Sequence, residues 1–167
     1  TQVLTRNMLM SLNLETVTEE GYLQNPYRSM RYYGPDAGFY SRGPETFPNT
    51  RTSTAGSGRV MYYLPWRASV SGLYRYFSDT WDIRAHTAEV AYTQPMWGRW
   101  TFTGSYRFYS QNNASFYSDL FPRANYQNFQ SRDKELATYT GHTIGVGASY
   151  NFPVTWFSWL KRGELNF

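Results

Sequence analysis

Cysteine is absent from the 167-residue sequence, and so are long apolar runs and long runs of like charge. Without cysteine there is no disulfide framework, no thiolate nucleophile and no cysteine-based metal site. Without a run of roughly 18 apolar residues, the chain is not expected to form a transmembrane helix. The 16 basic and 12 acidic residues give a net charge of +4 that is scattered along the chain, so nucleic-acid binding is not expected.

Aromatic residues, in contrast, are abundant. They make up 20% of the chain, although the mean hydropathy is only −0.63. This combination favours a fold in which each secondary-structure element has one polar, solvated face and one apolar face. An outer-membrane β-barrel is built in this way, with an apolar band towards lipid, a polar lumen and aromatic girdles at both interfaces.

Alternation with a period of two residues is the dominant pattern in the sequence. In 99–111 the even positions include Trp100, Phe102, Tyr106 and Phe108, whereas the odd positions carry mainly hydroxyl, amide and guanidinium groups. The pattern recurs in 3–15, 59–64, 67–79, 81–93 and 138–152. We therefore predict an all-β fold, a transmembrane antiparallel up-and-down β-barrel with these segments as strands. The predicted lipid-facing residues are Met8, Met10, Leu12, Val60, Tyr62, Val70, Tyr74, Val90, Trp100, Phe102, Ile144 and Val146.

The connections between these segments differ in length. Tight turns with Pro and Trp occur at 63–67, 94–98 and 153–159, and a short loop occurs at 78–80. Two long polar segments, 17–54 and 112–135, alternate with the tight turns. If the first strand runs outward, the tight turns are periplasmic and both long segments are extracellular loops, which is the asymmetry of this class.

An internal repeat supports the strand assignment. Segment 67–79 aligns without gaps on segment 99–111, with matching hydroxyls, a glycine, a Tyr-Arg-aromatic-aromatic run and a serine. Both segments would run in the same direction through the membrane. Such a repeat is expected in a barrel built from repeated hairpins, in which each unit contains one outward and one inward strand.

The strand count predicts an incomplete barrel. No secretory signal precedes the first strand pattern, so we expect a mature or trimmed product. Six spanning strands plus a seventh that begins at 162–167 fall short of the even number, eight or more, that closes bacterial barrels. Phe167 resembles the terminal assembly signal of such proteins but would lie mid-membrane on an outward-running strand. We expect 1–167 to be one incomplete barrel domain, and closure by other copies or another chain is the second possibility.

Five charged residues are predicted to face the lumen: Arg67, Arg75, Glu89, Arg99 and Arg107. Rings of basic side chains can select anions in a pore. A charge network that fills a narrow lumen is equally natural, because small barrels are packed inside, and both interpretations stay open. With the turn at 95–98, Glu89 would lie opposite Ser105 and diagonal to Arg107.

The remaining candidate residues do not indicate catalysis, metal binding or cofactor binding. His86 and His142 each begin a His-Thr pair at the head of a strand, and we interpret them as interfacial histidines, because metal sites need three or four ligands. The first long segment, rich in Tyr and Arg, either folds into the lumen, covers a partner, or forms a solvated or lipopolysaccharide-facing surface. No nucleophile–base pair, phosphate loop or carboxylate dyad is present, so no catalytic, cofactor-binding or metal-binding residue is assigned.

Several segments resemble an outer-membrane family known as domain of unknown function 3570. They are 21–28, 31–32, 62–65, 74–77, 79–81, 85–87, 94–95, 106–109 and 115–117. The resemblance extends from Gly21 to about Tyr150. It implies a Gram-negative outer-membrane barrel, longer than this chain, with no catalytic residues to carry over. Through the setting of the genes, it also implies a link to extracytoplasmic redox and flavin-attachment systems.

The sequence therefore favours a porin-like, non-enzymatic protein of the bacterial outer membrane that acts as a pore, conduit or scaffold. The expected partners are outer-membrane lipid and lipopolysaccharide, with a periplasmic or lipoprotein partner, or chains completing the barrel, left open. The alternative is a soluble, aromatic-rich β-sandwich that binds carbohydrate, but the aromatic face lacks a second apolar set to pack against. A barrel enzyme such as a lipase or protease is a third option, and it lacks an arranged Ser/His/Asp set.

Overall fold

The computed structural model describes residues 1–34, 39–153 and 162–167, and within them the regular structure is almost entirely β. The strands are β1 Gln2–Thr5, β2 Met8–Glu20, β3 Ser29–Tyr33, β4 Tyr40–Pro44, β5 Thr50–Tyr63, β6 Ser69–Asp79, β7 Arg84–Met96, β8 Trp100–Gln111, β9 Tyr139–Pro153 and β10 Arg162–Asn166. A single 3-10 turn, Lys134–Leu136, lies between β8 and β9.

Eight strands form one sheet in the order β1-β2-β5-β6-β7-β8-β9-β10, and β3 and β4 form a separate hairpin. Every pair of neighbours in the main sheet is antiparallel, so the all-β antiparallel prediction is confirmed. Strands β2 and β5 to β9 have 11 to 15 residues each. β1 and β10 are the edges, so the sheet is not closed within the described residues.

The register gives the sheet two chemically different faces. Even-numbered residues of the six long strands pair with even-numbered residues throughout, as in Tyr62–Val70 and Gly104–Val146. Directly paired side chains share a face, and successive side chains alternate. We call the even positions the apolar face and the odd positions of the same strands the polar face.

The first predicted strand is in fact a hairpin. β1 and β2 are separate strands, with Val3 opposite Leu9 and the turn at Arg6-Asn7. The polar pair Arg6-Asn7 interrupts the alternation at this turn, and the prediction of one strand over 3–15 overlooked that signal. Asn7 supports the turn through its backbone N–H, which donates to Thr5 Oγ1 at 3.4 Å.

The first long segment, predicted to be a loop over 17–54, contains regular structure. β2 continues to Glu20, β3 and β4 form a hairpin, and β5 begins at Thr50. These strand ends are polar and rich in threonine, with Thr16 and Thr18 facing Thr54 and Thr52 across the β2–β5 ladder. Threonine, which is β-branched and carries a hydroxyl, fits a strand with polar side chains on both faces, which apolar alternation cannot detect.

The β7–β8 hairpin corrects a predicted register. Met96 pairs with Trp100, so the loop is Trp97-Gly98-Arg99, with left-handed backbone at Trp97 (φ 51°) and Gly98 (φ 70°). Glu89 therefore lies directly opposite Arg107, and Ser105 lies opposite Ala91, two residues from the predicted pairing. The predicted turn at 153–159 lies outside the described residues beyond Pro153.

The buried core lies at one end of the sheet, where the long segments meet. Its members are Phe47, Trp81, Ile83, Ala114, Phe116 and Leu136. On the apolar face, in contrast, Val146 is 88% exposed and Ile144 and Leu14 are each 80% exposed. No second large sheet covers either face in the described part of the chain, which gives the β-sandwich alternative no support.

Candidate functional site: the polar face and the loop cap

All twelve residues that were predicted to face lipid lie at even positions of the long strands, on the apolar face. Aromatic side chains are prominent on this face. Tyr74 and Tyr106 lie near the middle of β6 and β8, and Trp100 and Tyr150 pack together near the tight turns with ring centroids 4.8 Å apart. That this face contacts lipid stays a prediction.

Three of the five predicted lumen-facing charges lie on the polar face. Arg75, Glu89 and Arg107 are strand residues on β6, β7 and β8. Arg75 Nη2 lies 3.8 Å from Glu15 Oε2, across β5, and both side chains are largely open to solvent. Glu89 and Arg107 are opposite in register, but no ion pair within 4 Å joins them.

Arg67 and Arg99 are in the turns and not in the strands. Arg67 precedes β6 with a left-handed backbone (φ 65°), and Arg99 immediately precedes β8. Arg99 Nη1 lies 3.5 Å from the hydroxyl of Tyr150, a residue of the apolar face. The prediction that the four arginines form one set on the polar face is therefore corrected: Arg75 and Arg107 belong to it, and the two turn arginines do not.

The long segments fold into a compact structure that we call the loop cap, residues 21–34, 39–49 and 112–138 together with the β6–β7 connection 80–83. Three aromatic rings form its centre. Trp81 lies 5.5 Å from Phe47 and 5.2 Å from Phe116, and Phe47 lies 5.4 Å from Phe116. Edge-on and tilted aromatic packing of this kind adds stability beyond the buried area alone.

Backbone and side-chain hydrogen bonds join the first long segment to the second. Thr46 and Gln130 exchange two backbone hydrogen bonds of 2.9 Å. Glu45 is buried, and its carboxylate accepts hydrogen bonds from Arg132 N at 2.9 Å and from Ser131 Oγ at 3.2 Å. The two segments therefore order each other, although more than 80 residues separate the joined positions.

An ion pair fixes the cap to the end of the sheet. Arg51 Nη2 donates to Asp79 Oδ2 at 2.7 Å, and its Nε donates to the same oxygen at 2.9 Å. Asp79 Oδ1 accepts from the backbone N–H groups of Trp81 and Ile83, both at 2.9 Å. The Arg51 guanidinium also stacks 4.5 Å from the Trp81 ring centroid. One side chain thus holds the β6–β7 connection and the aromatic cluster in place.

The cap lies on the polar face and not on the apolar face. In β7 and just before it, Ile83, Ala85 and Thr87 are buried, whereas Arg84 and His86 between them are exposed. Gln111 of the polar face donates from Nε2 to the carbonyl oxygens of Glu135 and Ala137, at 2.9 and 2.8 Å. A cavity of about 260 Å³ remains between cap and sheet, lined in part by Arg51, Arg75 and Tyr109.

The question left open for the first long segment is answered in part by these contacts. Phe47 belongs to the buried cluster, and Leu23 packs against it. Two tyrosines of the same segment face solvent: Tyr22 and Tyr27 are 68% and 95% exposed. The segment therefore folds over the polar face with Phe47 and Leu23 and presents Tyr22 and Tyr27 to the outside.

Charged pairs line the outer surface of the cap. Lys134 Nζ contacts the Asp119 carboxylate and lies 3.0 Å from the Tyr117 hydroxyl. This contact holds the pKa of Asp119 below its usual range and raises the pKa of Lys134. On the β3–β4 hairpin, a hydrogen bond from Arg42 and the nearby charge of Arg31 lower the pKa of Tyr40.

The two histidines form equivalent pairs on the apolar face. Tyr74 Oη lies 2.6 Å from His86 Nδ1, and Tyr106 Oη lies 2.7 Å from His142 Nδ1. Tyr74 and Tyr106 occupy matching positions of the internal repeat. No group of three or more His, Cys, Asp or Glu side chains that could hold a metal ion occurs in residues 1–34, 39–153 and 162–167.

Comparison with known proteins gives one match. The model of a family described as "Protein of unknown function (DUF3570)" matches residues 1–159. The chain belongs to this family. The family membership that the sequence resemblance suggested is thereby confirmed. No curated protein and no solved structure matches the chain.

In this DUF3570 chain, no helix in the described ranges is long and apolar enough to cross a membrane. The residues that organise the cap were missed by the sequence reasoning, above all Arg51, Asp79 and Glu45. Asp79 could have been found, because an aspartate that opens a connection often accepts backbone N–H groups two residues on. Arg51 carries no local signal, since its partner is 28 residues away.

Proposed function

We propose that this DUF3570 protein is an integral, non-enzymatic β-barrel protein of the bacterial outer membrane. The observation that carries the proposal is the continuous exposed apolar face of six antiparallel strands of 11 to 15 residues. A tilted strand needs about 9–11 residues to cross a bilayer. Soluble monomers rarely expose contiguous apolar patches above roughly several hundred Å².

The inverted distribution of burial supports the same proposal. The apolar side chains at the middle of the sheet are exposed, and the packed core lies at one end, under the cap. A soluble β-domain would instead bury the apolar face of its sheet against another layer. In a membrane, the exposed apolar face would contact lipid chains, which is energetically favourable.

Barrel closure is part of the proposal. An open sheet edge leaves backbone N–H and C=O groups without partners, which is not tolerated in the hydrocarbon region. Strands β1 and β10 each have one neighbour in the described residues. We propose that further strands, from the same protein or from other chains, pair with these edges.

The cap indicates how such a barrel would act. It covers the polar face at one end and leaves a cavity of about 260 Å³ beneath it, so a lumen at this end would be obstructed and not an open water channel. We therefore favour a capped conduit or a scaffold over a general porin. Anion selection by Arg75 and Arg107, and the redox link that the resemblance implies, stay predictions.

The test uses the protein as its gene encodes it, expressed in a Gram-negative host. We expect the protein in the outer-membrane fraction, extracted by detergent, with gel mobility that changes on heating and with a β-dominated circular dichroism spectrum. In planar bilayers we expect small or no steady current in the wild-type protein. Recovery of folded protein in the detergent-free soluble fraction would contradict the proposal.

A further inference from the structure

The start of β7 brings polar side chains to the border of the apolar face. Ile83 and Ala85 are buried beneath the loop cap, and Arg84 and His86, which alternate with them, are exposed on the opposite side. Below His86 on the same strand the face becomes apolar, with Val90 56% exposed. Arg84 and His86 therefore lie where the cap ends and the apolar band begins.

These residues line a depression of about 440 Å³, which we call the rim site. Its other walls include Ser110, Asn112 and Thr138. Its lining offers a guanidinium, an imidazole, hydroxyls and amides, and no carboxylate. Arg84 has no ion-pair partner within the described parts of the chain.

The rim site is held in place by the backbone around it. The Asn112 side chain accepts from Arg84 N at 2.5 Å and donates to Asp82 O at 2.8 Å, and Asn112 N donates to Arg84 O at 3.2 Å. These contacts fix the ends of β7 and β8 relative to each other. The backbone position of Arg84 is thus set by the fold, and its side chain is exposed.

His86 is oriented by two aromatic side chains. Its Nδ1 lies 2.6 Å from Tyr74 Oη, and its ring packs against Tyr76 with centroids 5.1 Å apart. With one ring nitrogen engaged, the other nitrogen, Nε2, is available to a ligand. When the Tyr74 hydroxyl donates to Nδ1, Nε2 carries the ring proton, and Arg84 and His86 then both present hydrogen-bond donors on one side of β7.

We propose that the rim site binds the phosphate group of a membrane lipid, with the acyl chains lying along the apolar face below His86. Guanidinium groups bind phosphate through paired, charge-assisted hydrogen bonds. The depression adjoins the apolar face, which favours a lipid phosphate over a free one. This inference rests on the proposed function, because the acyl chains need the membrane.

The internal repeat provides a natural control. The Tyr106–His142 pair has the same geometry as the Tyr74–His86 pair, with 2.7 Å between Tyr106 Oη and His142 Nδ1. Two residues before His142, however, stands Thr140 and not an arginine. The second pair therefore lacks the cation, and we expect it not to bind phosphate.

The experiment measures lipid binding to the detergent-solubilised, folded full-length protein by native mass spectrometry. The probes are phosphatidylglycerol, diacylglycerol, which has no phosphate, and glycerol 3-phosphate, which has no acyl chain. We expect Arg84→Gln to weaken phosphatidylglycerol binding about tenfold, the effect of losing a charge-assisted contact. Arg123→Gln removes the same charge from an exposed cap position, and it and His142→Gln should leave binding unchanged.

The outcomes separate this inference from the proposed function. Equal affinity of Arg84→Gln and wild type, or equal loss in Arg123→Gln, overturns the rim site while leaving membrane insertion intact. Glycerol 3-phosphate binding as tightly as phosphatidylglycerol identifies a free-phosphate site and overturns the lipid assignment. A protein that does not enter membranes refutes both proposals. If Arg84→Gln fails to fold, His86→Phe, which keeps a ring but removes its hydrogen-bonding nitrogens, must give the same weakening.

Discussion

Arg51 and Asp79 are joined by two hydrogen bonds to a single carboxylate oxygen, at 2.7 and 2.9 Å, and the Asp79 side chain is fully buried. The other carboxylate oxygen accepts two backbone N–H groups of the β6–β7 connection. This arrangement ties the sheet to the aromatic cluster of the cap, because Arg51 also stacks on Trp81. The position of the cap over the polar face therefore depends strongly on this pair.

The first prediction concerns the stability of the cap. Asp79→Asn keeps the shape of the side chain but leaves the partly buried Arg51 without its counter-charge, which should cost roughly 2–3 kcal/mol. We expect the cap to be cleaved faster by protease and the steady current in planar bilayers to increase. Asp82→Asn is the matched control, because Asp82 is exposed and asparagine tolerates its left-handed backbone (φ 66°). Equal protease resistance of wild type and Asp79→Asn would show that the cap does not depend on this pair.

The second prediction tests the two faces with neighbouring residues. Val146→Arg places a charge on the apolar face and should impair membrane assembly, at roughly 2–4 kcal/mol near the midplane. Gly147→Arg points to the polar face, where an added Cβ meets its nearest atom at 3.8 Å, and should assemble nearly normally. Gly145 is a poorer control, since an added Cβ would lie 2.6 Å from Ser105 Oγ. Heat-modifiable migration of membrane-extracted protein reports assembly, and equal behaviour of the 146 and 147 variants would contradict the assignment of faces.

The third prediction concerns Glu89 and Arg107, which are opposite in register without an ion pair within 4 Å. Directly opposed charges across a sheet contribute roughly 0.2–1 kcal/mol, so we expect a small coupling between Glu89→Gln and Arg107→Gln. A double-mutant cycle on the free energy of unfolding measures it. A coupling of several kcal/mol would indicate a closed, desolvated pair, and strict additivity would indicate that the two charges do not interact.

The fourth prediction is a pH dependence of the Asp119–Lys134 contact on the cap. Because the folded-state pKa of Asp119 is lowered, chiefly by the hydrogen bond from Lys134, its stabilising contribution is present above the unfolded value of about 3.9. It is lost as the pH falls through the folded-state pKa. The pKa of Lys134 is raised, so its contribution is present below about 10.4 and is lost as the pH rises through the folded value.

NMR titration of the Asp119 carboxyl tests this contact. Lys134→Gln should return the Asp119 pKa upward towards its unperturbed range, and acid should then loosen the segment from 117 to 119 at higher pH than in the wild type. Arg123→Gln, which removes an exposed positive charge from the same loop, should have little effect. An unchanged Asp119 titration in Lys134→Gln would show that the contact is not formed in solution.

The sequence by itself determined the strands and their faces. Alternation of apolar and polar residues has the period of a β-strand, so each long strand showed its apolar side through residues such as Phe102, Ile144 and Val146. This signal is local, and it placed all the predicted lipid-facing residues on one side of the observed sheet. It failed where both faces are polar, as at the ends of β2 and β5. At the β1–β2 turn the polar pair Arg6-Asn7 does interrupt the alternation, but so short a break was overlooked.

Only the tertiary structure decided what the long segments do. The contacts of Glu45 with Ser131 and Arg132, and of Arg51 with Asp79, join residues 28 to 87 positions apart. No periodicity marks such residues, because loop packing is set by which side chains meet in space and not by spacing along the chain. The same holds for Glu89 and Arg107, whose register follows from the left-handed backbone of the Trp97-Gly98 turn. Apolar alternation thus specified the sheet, and long-range hydrogen bonds and aromatic packing specified the cap that closes over its polar face.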